Sequence, residues 1–228
     1  MKIVNKISLA ETIDNITDAF FFGNKIPKEE RDSAALFIAS RQGLPGSYAE
    51  LFAPTEKDQS KGFKLFTGEK VKPSAGLRHI LGEESCRALI LLKSPLKVVR
   101  DAYKTANDSM TKRLGVTYGK PRPIGWYCCG QCTVSFWRNL LVGGLVNQDA
   151  ELASGLKILK TMRDGQHGWR RFPFFYTLLA LNEFENPLVI DELKYAGPRL
   201  EDLLSRKPRK DKYSMRRFEL AERILRKV

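Results

Sequence analysis

Apolar residues recur at intervals of three and four along most of this 228-residue chain. That spacing places them on one face of an α-helix, so it predicts a chain built mainly of amphipathic helices. Pro27 and Pro173 stand where helices are expected to begin, and Gly43 stands where one is expected to end. Gly197 and Pro198 are expected to break one helix. The predicted helical segments are 9–20, 23–43, 73–91, 96–106, 134–145, 152–159, 173–179, 186–206 and 214–228.

Residues 43–72 lack helical spacing. Their length and their mixture of glycine, proline and aromatic residues predict an ordered loop. Within it, "GFKLFTGEKV" at 62–71 has the pattern of a small β-hairpin that turns at Thr67 and Gly68. Sustained strand alternation occurs nowhere else in the sequence. We therefore predict an all-α fold, an array of α/α-hairpins with one long ordered loop.

Length and composition predict a single helical domain over residues 1–228, with a division near 112–125, where glycine and proline are frequent, as the alternative. Hydrophobic residues make up 43% of the chain, which is too many for a disordered protein. The longest apolar runs are far shorter than the roughly 20 residues that span a bilayer. Polar residues interrupt the first twenty positions, so no export signal is expected. These features predict a cytoplasmic protein without a membrane partner.

The chain is basic, with a formal net charge of +13. Residues 61–120 concentrate the excess, since they hold 13 Lys and Arg against 5 Asp and Glu. Such a field attracts anions, so we expect nonspecific retention of nucleic acid or heparin at low salt that is lost at moderate ionic strength. No motif of a known DNA-binding or RNA-binding module occurs in the sequence.

Three of the four cysteines fall within "WYCCGQC", directly before a predicted helix. Cys129 and Cys132 form a CxxC motif where helix amides and the helix dipole would stabilise a thiolate, as in a redox pair. Zinc would need a fourth ligand beside Cys128 and these two thiols, either Cys86 or one of the two histidines, His79 and His167, of which His167 is preferred. The third interpretation is that the cysteines are small buried residues packed beside tryptophans.

Few residues are available for histidine-based catalysis, because the chain contains only two histidines. His79 and Glu83 stand four residues apart on a predicted helix, where both could face one ligand, although a surface hydrogen bond is the commoner meaning of that spacing. No serine–histidine–acid set, phosphate-binding loop or dinucleotide fingerprint can be found.

The stretch "RDGQHGWRRFPFFYTLLALNE" at 163–183 predicts two helices joined by a glycine-rich turn. Trp169 is expected to stand clear of its own helix in this turn. Arg170 and Arg171 would then lie beside the positive end of the helix that begins near Pro173, where they could hold an anion. The alternative is that Trp169 fills a gap between helices and that both arginines are solvated.

Residues 125–183 resemble the repeats of the α/α-toroid families, the terpenoid cyclases and protein prenyltransferases. The resemblance rests on the "DGQHGW" turn before the apolar "TLLAL" helix, and on "FWRNLLVGGL" before the paired helices. It implies a helical-hairpin architecture. The acidic motifs with which those families protonate or bind isoprenoid diphosphate are absent, so the resemblance implies no activity.

Two functional hypotheses follow. The first is a helical-repeat-like binding protein that holds an apolar or anionic ligand or partner with Trp126, Trp137, Trp169, Arg170 and Arg171. The second is a thiol-dependent or metal-dependent enzyme that uses the CxxC motif, with zinc as the candidate metal. A metal assay separates the two.

Overall fold

The computed structural model describes residues 2–115, 122–184 and 186–228, and the all-α prediction is confirmed in this part of the chain. Residues 116–121, inside the predicted division near 112–125, lie outside the described residues. The helices are α1 Leu9–Phe21, α2 Lys28–Ala39, α3 Glu56–Lys61, α4 Ala75–Leu92, α5 Lys97–Leu114, α6 Gly130–Leu141, α7 Gln148–Thr161, α8 Phe174–Glu183, α9 Pro187–Leu204 and α10 Lys212–Leu225.

The predicted hairpin is confirmed as a two-stranded antiparallel sheet of β1 Phe63–Lys64 and β2 Lys70–Val71. Phe63 pairs with Val71 in its register. Gly68 lies in the turn with a φ of +94°, a conformation that glycine adopts without strain. The loop around the hairpin also contains the short helix α3, which the hydrophobic pattern did not predict because its six residues, "EKDQSK", include no apolar side chain.

The expected break at Gly197 and Pro198 is wrong, because α9 runs without interruption through Pro198. Proline removes one backbone hydrogen bond from a helix interior. Leu193 and Leu200, on either side of it, are both buried, and α9 packs against α8 and α10. Burial of both halves thus keeps the helix continuous despite the missing bond.

Helices α4 and α6 form the centre of the molecule. Helix α4 packs against α1, α2, α5 and α6, and α6 also contacts α7 and α8. Gly82 of α4 lets the loop residue Leu51 lie against the helix, since a Cβ there would come within 2.4 Å of the Leu51 side chain. No described helix combines the length and apolarity that crossing a bilayer requires.

The interface between α4 and α6 also contains buried charges. Arg138 of α6 is 1% exposed and is paired with Glu84 of α4 and Glu183 of α8. Arg87 of α4 donates to the same Glu183 carboxylate at 2.8 Å, and the Tyr176 hydroxyl of α8 donates to Glu84. This network joins three helices at the core.

Candidate metal site

The CxxC motif lies at the start of α6, where its sequence position predicted it. Cys129 is the N-cap residue, and its Sγ accepts a hydrogen bond from the amide of Cys132 at 3.5 Å. The chain before α8 packs tightly here, since a Cβ on Gly130 would lie 1.9 Å from the carbonyl oxygen of Arg171. The three thiols therefore stand on a helix start that its neighbours hold in place.

His79 of α4 lies against this helix start. Its Nδ1 is 3.2 Å from the Sγ of Cys128, and the Sγ atoms of Cys129 and Cys132 are 3.3 Å apart. The potential ligand atoms of His79, Cys128 and Cys132 all lie within 4.8 Å of one another. The Cys132 thiol also donates to the carbonyl of Gly76, in the first turn of α4, at 3.7 Å. Contact between two helices thus brings three thiols and one imidazole together.

Two of these groups, His79 and Cys129, are in the protonation state that ligates a metal ion. Burial lowers the pKa of His79 to about 4, so its imidazole is neutral at neutral pH. Hydrogen bonds from Cys128 and Cys132 lower the pKa of Cys129 to about 2. The hydrogen bond with Cys129 raises the pKa of Cys128 to about 12, and hydrogen bonds with both other thiols raise the pKa of Cys132. One thiolate is therefore stabilised by two thiols.

Aromatic rings cover the histidine side of the cluster. The ring centroids of Tyr48 and Tyr127 lie 4.0 Å and 5.2 Å from that of His79. Arg113 of α5 donates to the Tyr48 hydroxyl at 3.2 Å. His79 is buried, whereas Cys129 is exposed. The cluster is thus enclosed by α4 and the loop around Tyr48, and it opens to solvent at Cys129.

The structure brings His79 into this cluster, whereas sequence reasoning selected His167. His167 lies elsewhere, exposed, with its Nδ1 3.0 Å from the carbonyl oxygen of Tyr195. His79 precedes Cys128 by 49 positions, so no short motif joins them. The sequence pointed to His79 as a ligand only in that the chain contains two histidines and His79 is one of them. Glu83, four residues after His79, instead accepts a hydrogen bond from Asn139 at 2.7 Å.

The three tryptophans, Trp126, Trp137 and Trp169, do not form the expected groove. Trp137 is fully buried and its indole N–H donates to a backbone carbonyl at 2.8 Å. Trp169 is only 4% exposed, and its indole N–H donates to Glu192 at 2.8 Å. Trp126 is half-buried and packs edge-on against Phe172. Trp169 lies in the turn before α8 and packs between α8 and α9, which agrees with the alternative that it fills a gap between helices and not with an exposed ring.

Arg170 and Arg171 lie at the surface beside the turn that precedes α8. The Arg170 guanidinium donates a long hydrogen bond, 3.5 Å, to the carbonyl of Thr161. Arg171 has a φ of +67°, a conformation rarely taken by residues other than glycine. Anion binding by this pair stays a prediction.

Comparison of the chain with family models, with curated proteins and with solved structures finds no match. The resemblance of residues 125–183 to α/α-toroid repeats therefore stays a prediction.

Proposed function

We propose that this protein binds one zinc ion through Cys128, Cys129, Cys132 and His79. The observation that carries the proposal is the convergence of the ligand atoms of His79, Cys128 and Cys132 within 4.8 Å, with the Cys129 sulfur 3.3 Å from that of Cys132. Three thiolates and one imidazole are a common ligand set of structural zinc. Ligand atoms of tetrahedral zinc lie about 3.5 to 3.8 Å apart. The two close pairs, at 3.2 and 3.3 Å, would open slightly, and Cys129, which lies outside the group of three within 4.8 Å, would move toward that group.

A site with four protein ligands leaves zinc no open position for water or substrate, which favours a structural role over a catalytic one. The ligands come from α4 and from the start of α6, the two central helices. The ion would therefore join the centre of the fold. A neutral His79 and a Cys129 thiolate would ligate without losing a proton, so only the other two thiols must ionise.

Elemental analysis tests this proposal. We expect about one zinc per chain in protein purified under reducing conditions without chelator. His79→Ala and Cys132→Ser should each lower the zinc affinity at least tenfold, because each removes a ligand. His167→Ala and Cys86→Ala are matched controls that should keep the metal, since neither residue belongs to the cluster. Absence of zinc after anaerobic reconstitution, or an unchanged affinity in His79→Ala, would contradict the proposal.

The 3.3 Å separation of the Cys129 and Cys132 sulfurs also favours a second candidate, a redox dithiol. In that case oxidised glutathione would take up two electrons and the Cys132 proton, and the Cys129 and Cys132 sulfurs would form a disulfide; Cys129, already a thiolate, has no proton to lose. Mass spectrometry of the metal-free protein, titrated with oxidised and reduced glutathione, measures this reaction. Reversible formation of a Cys129–Cys132 disulfide in a protein that binds no zinc, with a potential unaffected by His79→Ala, would favour the dithiol.

A further inference from the structure

A second candidate site is a cleft of about 530 Å³. The cleft is bounded by the linker 205–211, the first turns of α10 and the tip of the β1–β2 hairpin. It shares no lining residue with the thiol cluster. Its cationic lining residues are Lys64, Arg206, Lys207, Arg209 and Arg217.

The charge in this cleft is only partly neutralised. Asp211 is its one acidic lining residue among those described, and its carboxylate already accepts hydrogen bonds from the amides of Tyr213 and Ser214 as the N-cap of α10. Arg206 is paired with Asp202. The ion pairs found in the described part of the chain include neither Lys207 nor Arg209. Both side chains are exposed, so their charges are available to a ligand.

Other contacts hold the walls of the cleft in place. The Nε of Arg217 donates to the carbonyl of Thr67 at 2.6 Å, and its guanidinium lies 4.6 Å from the ring centroid of Phe175. Lys64 lies 4.8 Å from the ring centroid of Tyr213. Gly68 at the hairpin tip is so close to Tyr213 that a Cβ there would lie 2.9 Å from that side chain. Arg217 and Lys64 are thus fixed in position, which lowers the entropy cost of binding an anion.

The linker is also held against α10. The amide of Arg209 donates to the Ser214 hydroxyl at 3.0 Å. This bond brings the part of the linker that carries Lys207 and Arg209 over the first turn of α10. The cleft therefore combines positioned cations on one wall with solvent-facing cations on the other.

We propose that this cleft binds directly linked phosphate groups, as in a nucleoside triphosphate or inorganic polyphosphate. Arginine forks and lysine ammonium groups are the side chains that recognise phosphate oxygens. Directly linked phosphates concentrate several negative charges within a few ångströms, which matches cations gathered in a small concavity. An acidic peptide spreads one charge over each residue and fits a broader surface. This site is independent of zinc binding.

Isothermal titration calorimetry with tripolyphosphate tests the proposal. At about 0.15 M salt, attraction between the ligand and cations outside the cleft is largely screened. The test variant is Lys207→Ala/Arg209→Ala, which removes two exposed cations of the cleft. The matched control, Lys97→Ala/Lys104→Ala, removes two exposed cations of α5, which lies in the most basic quarter of the sequence. We expect the dissociation constant to rise about tenfold or more in the test variant and less than about twofold in the control.

Equal weakening in both double variants, or no binding of tripolyphosphate by the parent protein, overturns the proposal. Binding of an acidic peptide such as oligoglutamate as tight as that of tripolyphosphate overturns the assignment to phosphate. Two further titrations, with ATP and with a single-stranded oligonucleotide of twelve residues, distinguish the sources. Binding of ATP tighter than that of tripolyphosphate supports a nucleotide, and tighter binding of tripolyphosphate supports inorganic polyphosphate. Binding of the oligonucleotide tighter than both, with a steeper salt dependence, overturns the assignment to directly linked phosphates.

Discussion

His79 and Glu83 stand one helical turn apart on α4, and burial changes the protonation of both. Burial lowers the pKa of His79 to about 4, so the imidazole is neutral and can ligate a metal ion. Burial raises the pKa of Glu83 from 4.5 to about 7. Asn139 donates to one oxygen of Glu83, and the other oxygen has no hydrogen-bond partner among the described residues. Burial thus keeps His79 neutral and leaves one Glu83 oxygen without a hydrogen-bond partner among the described residues.

Glu83→Gln should stabilise the protein at neutral and alkaline pH. Because the folded-state pKa is raised, the folded protein keeps a proton that the unfolded chain loses above pH 4.5. Stability therefore falls as pH rises from 4.5 to about 7, and the loss is constant above that range. We expect the variant to gain up to about 3 kcal/mol above pH 7 and little below pH 4.5.

Urea unfolding across this pH range measures the effect. Glu201→Gln on the exposed side of α9 is the matched control, and it should leave the free energy of unfolding nearly unchanged at every pH. A parallel pH dependence in Glu83→Gln and the parent protein would show that Glu83 is not the titrating group.

Helices α4, α6 and α8 are joined by buried charge as well as by apolar contact. Arg138 donates to both oxygens of Glu183 at 2.9 Å and also pairs with Glu84. Although burial opposes ionisation, Arg138 and Arg87 together hold the pKa of Glu183 below its usual value. The Glu183 carboxylate is charged because these two arginines compensate it.

Arg138→Leu should therefore destabilise the fold by about 3 to 5 kcal/mol, because it leaves buried carboxylates without their main partner. The loss should shrink in acid, where the Glu183 carboxylate takes up a proton. Denaturant unfolding at neutral and acidic pH measures both effects. Lys97→Ala, which breaks an exposed pair with Asp101 on α5, is the comparison and should cost less than about 0.5 kcal/mol. A cost for Arg138→Leu as small as that of the comparison would contradict this account.

Local sequence predicted most helices and the hairpin, because apolar spacing and turn residues act over a few positions. It did not predict the features that depend on packing between helices and loops. Pro198 stays within α9 because the residues around it are buried. Trp169 is buried in the turn before α8, where Glu192 of α9 accepts its indole N–H. The CxxC start of α6 was predicted for the same local reasons. His79 was not, because only the packing of α4 on α6 places it beside Cys128.

At the scale of the whole molecule, the thiol cluster connects the two central helices, so occupation of the site should affect global stability. An ion that binds the folded protein and not the unfolded chain stabilises it by RT ln(1 + [L]/Kd), where [L] is the free ion concentration. Zinc also competes with protons for the thiols, and hydrogen bonding has raised the pKa values of Cys128 and Cys132. Binding should therefore weaken as pH falls.

These points predict that a chelator lowers the melting temperature of the zinc-loaded protein at pH 7.5 and has a much smaller effect at pH 5. The proton competition acts on the thiols, because His79 is neutral at both pH values. Thermal melting with and without chelator measures the difference, with the zinc content determined in each sample. His79→Ala should show almost no chelator effect at either pH, whereas His167→Ala should behave like the parent protein. Removal of zinc at pH 7.5 without a change in melting temperature would mean that the ion does not hold α4 and α6 together.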